Sequence, residues 1–252
     1  VLKGKKREVH QREQLFLDVA AKVLLEEGYP EVSINRVAES TGFSRGTVYL
    51  RFKSKEELVT ALGLQCRGRL HDAVTRAIES DGRPRERLVG IGEAISCYVK
   101  QHPDDQRVLK IIDSELILER VGEKQRARMA QYDIHMFEYL AAIIMDAIQQ
   151  EDLVLRDGAT PQGLCFSFWA MMDGAFAASM GGAPLEEVGI VDPIAEVIRN
   201  CHYLLDGYGW HPLSSEWDYD TASARIREEL GFESAATDVS GPVVSYAYTR
   251  EE

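Results

Sequence analysis

Ser44, Arg45, Thr47, Tyr49 and Arg51 fall within one short stretch, with Lys55 about one helical turn beyond. None of them sits beside a group that would make it a nucleophile or an acid–base catalyst. What this set can do is hydrogen-bond. An arginine guanidinium grips O6 and N7 of a guanine with two bonds, worth about 1–3 kcal/mol of discrimination per good pair. Threonine and tyrosine hydroxyls suit phosphate oxygens, contacts that position a protein on a duplex without reading its sequence. Lys55 would add a cation beside the unpaired amides of a helix start. Ser33, Gly46 and Leu50 complete the candidate duplex-facing set.

Such side chains need a rigid mount, and residues 33–58 (SINRVAESTGFSRGTVYLRFKSKEEL) supply the signals for one. Ser33 caps a short helix through Ser40 whose Ile34, Val37 and Ala38 face inward. Gly42 permits a tight turn, and Ser44 caps a second short helix. Val48 and Phe52, four residues apart, would anchor that helix on Ile34, Val37 and Phe43. Ser54 and Glu57 form a capping box that opens a long helix to about residue 80. Upstream, Phe16, Val19, Ala20, Val23 and Leu24 give the stripe of a first helix over about residues 9–27, ended by Gly28. This is the bracing of a helix-turn-helix, in which one helix holds the next in the major groove.

Charge agrees with that placement. Net charge is −12, yet residues 1–76 carry 14 Lys+Arg against 10 Asp+Glu, and the remainder 15 against 31. A nucleic-acid surface belongs in the first third. Cys66, Cys97, Cys165 and Cys201 are isolated, without CxxC or Cys–His spacing, which fits a reduced, cytoplasmic chain. The opening VLKGKKR has no apolar leader core, and the most apolar run, 164–172, is too short to span a bilayer. Periodicity is helical throughout, predicting an all-α chain. Asp81–Gly82–Arg83–Pro84 is the natural boundary, with further helices at about 84–101, 104–120 and 124–151, then from Pro161 and from Pro193. The expected plan is a basic arm (1–8), a helix-turn-helix domain (9–60) with its linking helix, and a second helical domain (81–207). An acidic extension (208–252) follows, read as a tail or surface-docked piece with one weak helix near 220–230 and a possible extended stretch at 243–248.

Residues 16–58 resemble the N-terminal domain of the TetR family of bacterial transcriptional regulators. The resemblance rests on Ala20, Gly28–Tyr29, Ile34, Val37–Ala38, Gly42–Phe43–Ser44, Gly46–Thr47–Val48–Tyr49, Phe52, Lys55–Glu56 and Leu58. Phe168–Trp169–Ala170–Met171–Met172–Asp173–Gly174–Ala175 is similar to the penultimate-helix pattern of many members. The resemblance implies a homodimer on a palindromic operator of double-stranded DNA, with a larger C-terminal effector-binding and dimerisation domain. A small-molecule effector would shift the two DNA domains out of register, releasing a repressor.

Within that frame, Phe166, Trp169, Phe176 and Met180, with Val197, Cys201, Leu204 and Leu205, are the candidate dimer interface. Tyr98, Tyr132, Met136, Tyr139, Phe166, Trp169, Met172 and Phe176 are candidate ligand-lining residues, and Asp173 a candidate polar anchor. A Met–aromatic stripe is equally the composition of ordinary core. His135 and His202 have no partner at metal-ligand spacing, so no metal or cofactor is expected. An enzyme reading finds no GxSxG, HExxH, GxGxxG or P-loop. An adaptor whose helix-turn-helix no longer touches DNA is the other alternative.

Overall fold

The computed structural model describes residues 2–231 apart from 115, 116, 118 and 183; the candidate stretch at 243–248 lies outside the described residues. Among the described residues the secondary structure is helical, with no strand. We number the α-helices α1 (Leu2–Glu26), α2 (Ile34–Thr41), α3 (Arg45–Tyr49), α4 (Lys55–Ile78), α5 (Pro84–Gln101), α6 (Pro103–Ile112), α7 (Glu123–Gln149), α8 (Pro161–Met180), α9 (Pro193–Tyr208) and α10 (Tyr219–Glu229). They form two compact units. The first holds residues 1–73 and 98–136, the second 74–97 and 137–252, so the chain divides inside α4, α5 and α7 and the turn at 81–84 lies within the second unit.

The first unit is built on the predicted stripe. Phe16, Leu17, Ala20, Val23 and Leu24 of α1 pack with Ile34, Val37 and Ala38 of α2, Val48 of α3, and Leu58, Val59 and Leu62 of α4. Val108, Leu109 and Ile112 of α6 close the same core. Helix α1 starts at Leu2 rather than near residue 9, so the basic arm is helical from its second residue. Gly28, the residue expected to end α1, takes φ 90°, ψ 169°, an extended mirror conformation that launches a 3-10 turn (Tyr29–Glu31). Helix α6 stops at Ile112, short of residue 120, and the Ser114 hydroxyl donates to the Ile111 carbonyl, competing for the helix's own ladder.

Of the two expectations for residues 208–231, a tail or a surface-docked piece, the second unit shows a docked one, and the weak helix expected near 220–230 is present as α10. Trp210 and Ile226 are fully buried, and Tyr219, Ala222 and Leu230 nearly so. Helix α9 is closed by Gly209, in the left-handed conformation (φ 71°). Helix α10 lies against α5 so closely that a Cβ on Gly90 would sit 2.9 Å from the Ile226 Cδ1. Arg227 bridges to Glu93 at 2.7 Å across the same contact. Leu205, a candidate dimer residue, is buried in the core of this unit, because its side of α9 faces inward; it is not available to a second subunit.

Arg85 holds the extension down. Its side chain is fully buried, donating to the carbonyls of Trp210, Pro212 and His202 and pairing with Asp206 at 2.7 Å. The guanidinium also lies 4.7 Å from the centre of the Tyr219 ring. Burial alone would raise the Asp206 carboxyl, but the Ser214 hydroxyl and amide, with Arg85, hold it below its ordinary value. A carboxylate with a depressed folded value contributes stability that is complete above the ordinary aspartate range, about pH 3.9. That contribution is lost as pH falls through the folded value. The denaturation midpoint should therefore fall between about pH 5 and pH 2, and Ser214→Ala should shrink the part of the fall that Asp206 contributes.

Candidate nucleic-acid interface

Gly42, φ 72° and ψ 9°, turns the chain between α2 and α3 in the left-handed region that disfavours any side chain. The caps on either side are those the sequence predicts. Ser33 Oγ accepts from the Arg36 amide at 3.1 Å, and Ser44 Oγ from the Thr47 amide at 3.2 Å. Ser54 Oγ accepts from Glu57 N, while the Glu57 carboxylate reaches back one residue further than a standard box, to the Lys53 amide at 2.6 Å. Val48 (0% exposed) and Phe52 (3%) fix α3 on the core, and Phe43 meets Phe16 edge-on at 5.4 Å.

With Val48 inward, the opposite side of α3 is open. Arg45, Gly46, Tyr49, Leu50 and Arg51 are all exposed, and Leu50, at 81%, is among the most exposed apolar side chains described. Ser44 is exposed and Thr47 half-buried, their hydroxyls 2.9 Å apart. This face presents a guanidinium, a phenol and an isobutyl group. The combination can grip a guanine edge, contact phosphate, and meet a thymine methyl.

Two expected duplex contacts are engaged by their own chain. Lys55 Nζ donates to the Pro30 carbonyl at 3.0 Å and lies 4.1 Å from the Tyr29 ring centre. Its ammonium is pushed below the usual lysine value, chiefly by burial. It ties the loop before α2 to the start of α4. Arg51 pairs with Glu13 of α1. Arg45 has a looser partner, Glu39, at 3.7 Å. Lys53 Nζ caps the Tyr49 carbonyl at 3.0 Å, and Arg36 pairs with Glu27 at 2.8 Å. Every basic side chain between residues 33 and 58 thus has an internal acceptor. Sequence spacing could not reveal this for Arg51, whose partner is 38 residues away.

Residues 16–62 match the profile described as bacterial regulatory proteins, tetR family. The chain carries the N-terminal domain of the TetR family. Among curated proteins it is similar to the fatty acid metabolism regulator protein of Bacillus subtilis, 29% identical over 73 residues, 29% of this chain and 38% of that one. It is also similar to the HTH-type transcriptional regulator AcrR of Shigella flexneri, 24% identical over 152 residues, 60% and 61% of the two chains. The chain thus matches less than two thirds of the length of these relatives. The TetR-family fold extends further: FadR from Bacillus subtilis in complex with stearoyl-CoA aligns with TM-score 0.60, 18% identity, over 79% of this chain and 99% of that one. A transcriptional regulator from Saccharomonospora viridis in complex with choline gives TM-score 0.63, 18% identity, over 78% and 96%.

The candidate ligand residues divide between the units. Tyr98, Tyr132 and Met136 belong to the first; Tyr139, Phe166, Trp169, Met172, Asp173 and Phe176 belong to the second. Tyr98 is buried and its hydroxyl donates to Asp105, which also holds Arg69 through two bonds. It serves that polar cluster. Cys66 lies in the same cluster, its thiol pushed up to about 12 by burial and by Asp105, which makes it a poor redox sensor. Tyr132 stacks edge-on with His71 at 5.6 Å, and His135 is 6.1 Å from the same ring. In the second unit Phe166 (57%) and Trp169 (44%) are exposed and 5.8 Å apart, and Asp173 is exposed too. Phe176, Met180, Val197, Cys201 and Leu204 are half-buried. Among the described residues no group of three His, Cys, Asp or Glu is placed to hold a metal ion, and no helix is long and apolar enough to cross a membrane.

Proposed function

We propose that this protein is a ligand-responsive, DNA-binding transcriptional repressor that binds a palindromic operator as a homodimer and leaves it when a small molecule binds the second unit. The observation that carries the reading is the α3 face: a helix pinned by Val48 and Phe52 with Arg45, Tyr49 and Leu50 turned to solvent. In a dimer, two such helices must lie about 34–36 Å apart, or a multiple of it, to enter successive grooves on one side of a duplex. Phe166 and Trp169, both exposed on α8 with ring centres 5.8 Å apart, favour that pairing, since adjoining aromatic side chains open to water mark interaction surfaces. In the cell the protein would work in the cytoplasm, with the operator.

Selection from a random duplex library, followed by fluorescence anisotropy, tests the reading. The enriched sequences should be palindromic. Affinity should fall steeply with salt, because each neutralised phosphate adds about −0.9 to the slope of log K against log[salt]. Arg45→Ala and Tyr49→Ala should each weaken the selected duplex by roughly tenfold, consistent with about 1–3 kcal/mol per lost contact. Their melting temperatures should stay near wild type, since both side chains are exposed. Unchanged affinity in both variants would remove α3 from the interface. Stearoyl-CoA and choline, the molecules bound in the two solved structures, are the first effectors to try for release.

One observation favours a second reading. Each cation of the motif already has an acceptor within the chain, as a helix-turn-helix serving only as a protein-docking surface would tolerate. An adaptor of that kind would give no enriched duplex.

A further inference from the structure

The exposed cations of α3 and its flank differ in how they are held. Arg45 meets Glu39 at 3.7 Å, and both side chains are about two-thirds exposed, so water and salt weaken that pair. Arg51 is different. Glu13, its partner on α1, is only 20% exposed while Arg51 is 48% exposed, so this pair is more sheltered from water than Arg45–Glu39. The next residue, Gln14, exchanges amide hydrogen bonds with Gln65 of α4, which fixes this turn of α1.

We propose that Glu13 is a specificity-determining residue: by holding Arg51 it keeps that cation out of sequence-independent phosphate contact, and Arg51 acts as a positioning residue that ties the end of α3 to α1. The proposal rests on the duplex-binding reading. A random duplex offers Arg51 a phosphate oxygen, which only exchanges one anionic partner for another and strands the Glu13 carboxylate close to the backbone. The pair therefore stays closed in a loose encounter, and Arg51 contributes nothing to it. On a fitted site the closed pair keeps α3 at its angle, and Arg45, Tyr49 and Leu50 do the reading. Specificity is the difference between the two affinities, so silencing a cation in the wrong complex sharpens it as surely as adding a contact in the right one.

A double-mutant cycle tests this by anisotropy, with a random-sequence 30-base-pair duplex and with the selected duplex, at several salt concentrations. Glu13→Gln should tighten the random duplex several-fold at low salt. It should steepen the slope by roughly 0.9, one phosphate's worth. The selected duplex should not gain, so its advantage shrinks by the same several-fold factor. Arg51→Gln alone should bring no gain on the random duplex and should not flatten its slope by a phosphate's worth, and Glu13→Gln in the Arg51→Gln background should lose the several-fold gain, leaving no more than the small effect of Glu39→Gln. Glu39→Gln, removing an equal charge from a loose pair, should change the random affinity less than Glu13→Gln.

A several-fold Glu13→Gln gain that persists in full without Arg51 would be general charge and would overturn the proposal. So would a slope that falls by about one phosphate in Arg51→Gln, a readout that holds even where Glu13→Gln folds poorly. Absence of any duplex binding by the wild type would instead overturn the proposed function itself.

Discussion

Trp210→Ala is expected to destabilise the second unit by about 3–5 kcal/mol, the range for deleting a large buried aromatic. The indole is fully covered, and its own carbonyl accepts from Arg85, so the cavity would open beside a buried charge. Chemical denaturation followed by tryptophan fluorescence and circular dichroism would read the loss. Were residues 208–231 a dispensable surface strap, the same change would fall within about 0.5 kcal/mol, as surface substitutions do. That result would remove the extension from the core.

Arg85→Ala should be comparably severe, about 3–5 kcal/mol, but for a different reason. The methyl group leaves the Trp210 carbonyl without its Arg85 donor and Asp206 without its cation, while the Pro212 carbonyl keeps the Tyr219 hydroxyl, and a buried acceptor left unmade costs about 1–3 kcal/mol. The Tyr219 ring loses the cation above it as well. Arg85→Lys should rescue only part, since one ammonium cannot address three carbonyls and Asp206 in the fork geometry that a guanidinium supplies. The two losses should not add. Trp210 and Arg85 share a hydrogen bond, so the double variant should be less damaged than the sum, by an amount that measures their coupling.

The helix-turn-helix was readable because its determinants are local. Ser33, Ser44 and Ser54 cap within three residues, Gly42 marks a conformation few other residues accept, and Val48 and Phe52 lie one turn apart. What the sequence hid was pairing at long separation. Nothing near Arg51 announces Glu13, and nothing near Lys55 announces the Pro30 carbonyl, yet these contacts decide which cations are free. How deeply the extension is docked was hidden by its composition. Three Lys+Arg against nine Asp+Glu, with Gly and Pro turns, look solvated. Beneath that composition Tyr219, Ala222, Ser223, Ile226 and Leu230 keep a helical spacing, and all are buried. Periodicity was the better guide there. The stop of α6 at Ile112 was illegible for a related reason, since a serine hydroxyl competing for a carbonyl leaves no mark on the apolar pattern.

The interleaving of the two units has a consequence for biosynthesis. Residues 74–97 emerge from the ribosome well before the segment from 137 onward that completes their unit, and Trp210 and Ile226 arrive last of all. For that interval Val89, Ile91 and Ala94 have no finished core to enter, while Arg85 waits for carbonyls not yet translated. The nascent chain should therefore lean on chaperones longest between the completion of α7 and the release of α10, and premature stops in that window should aggregate.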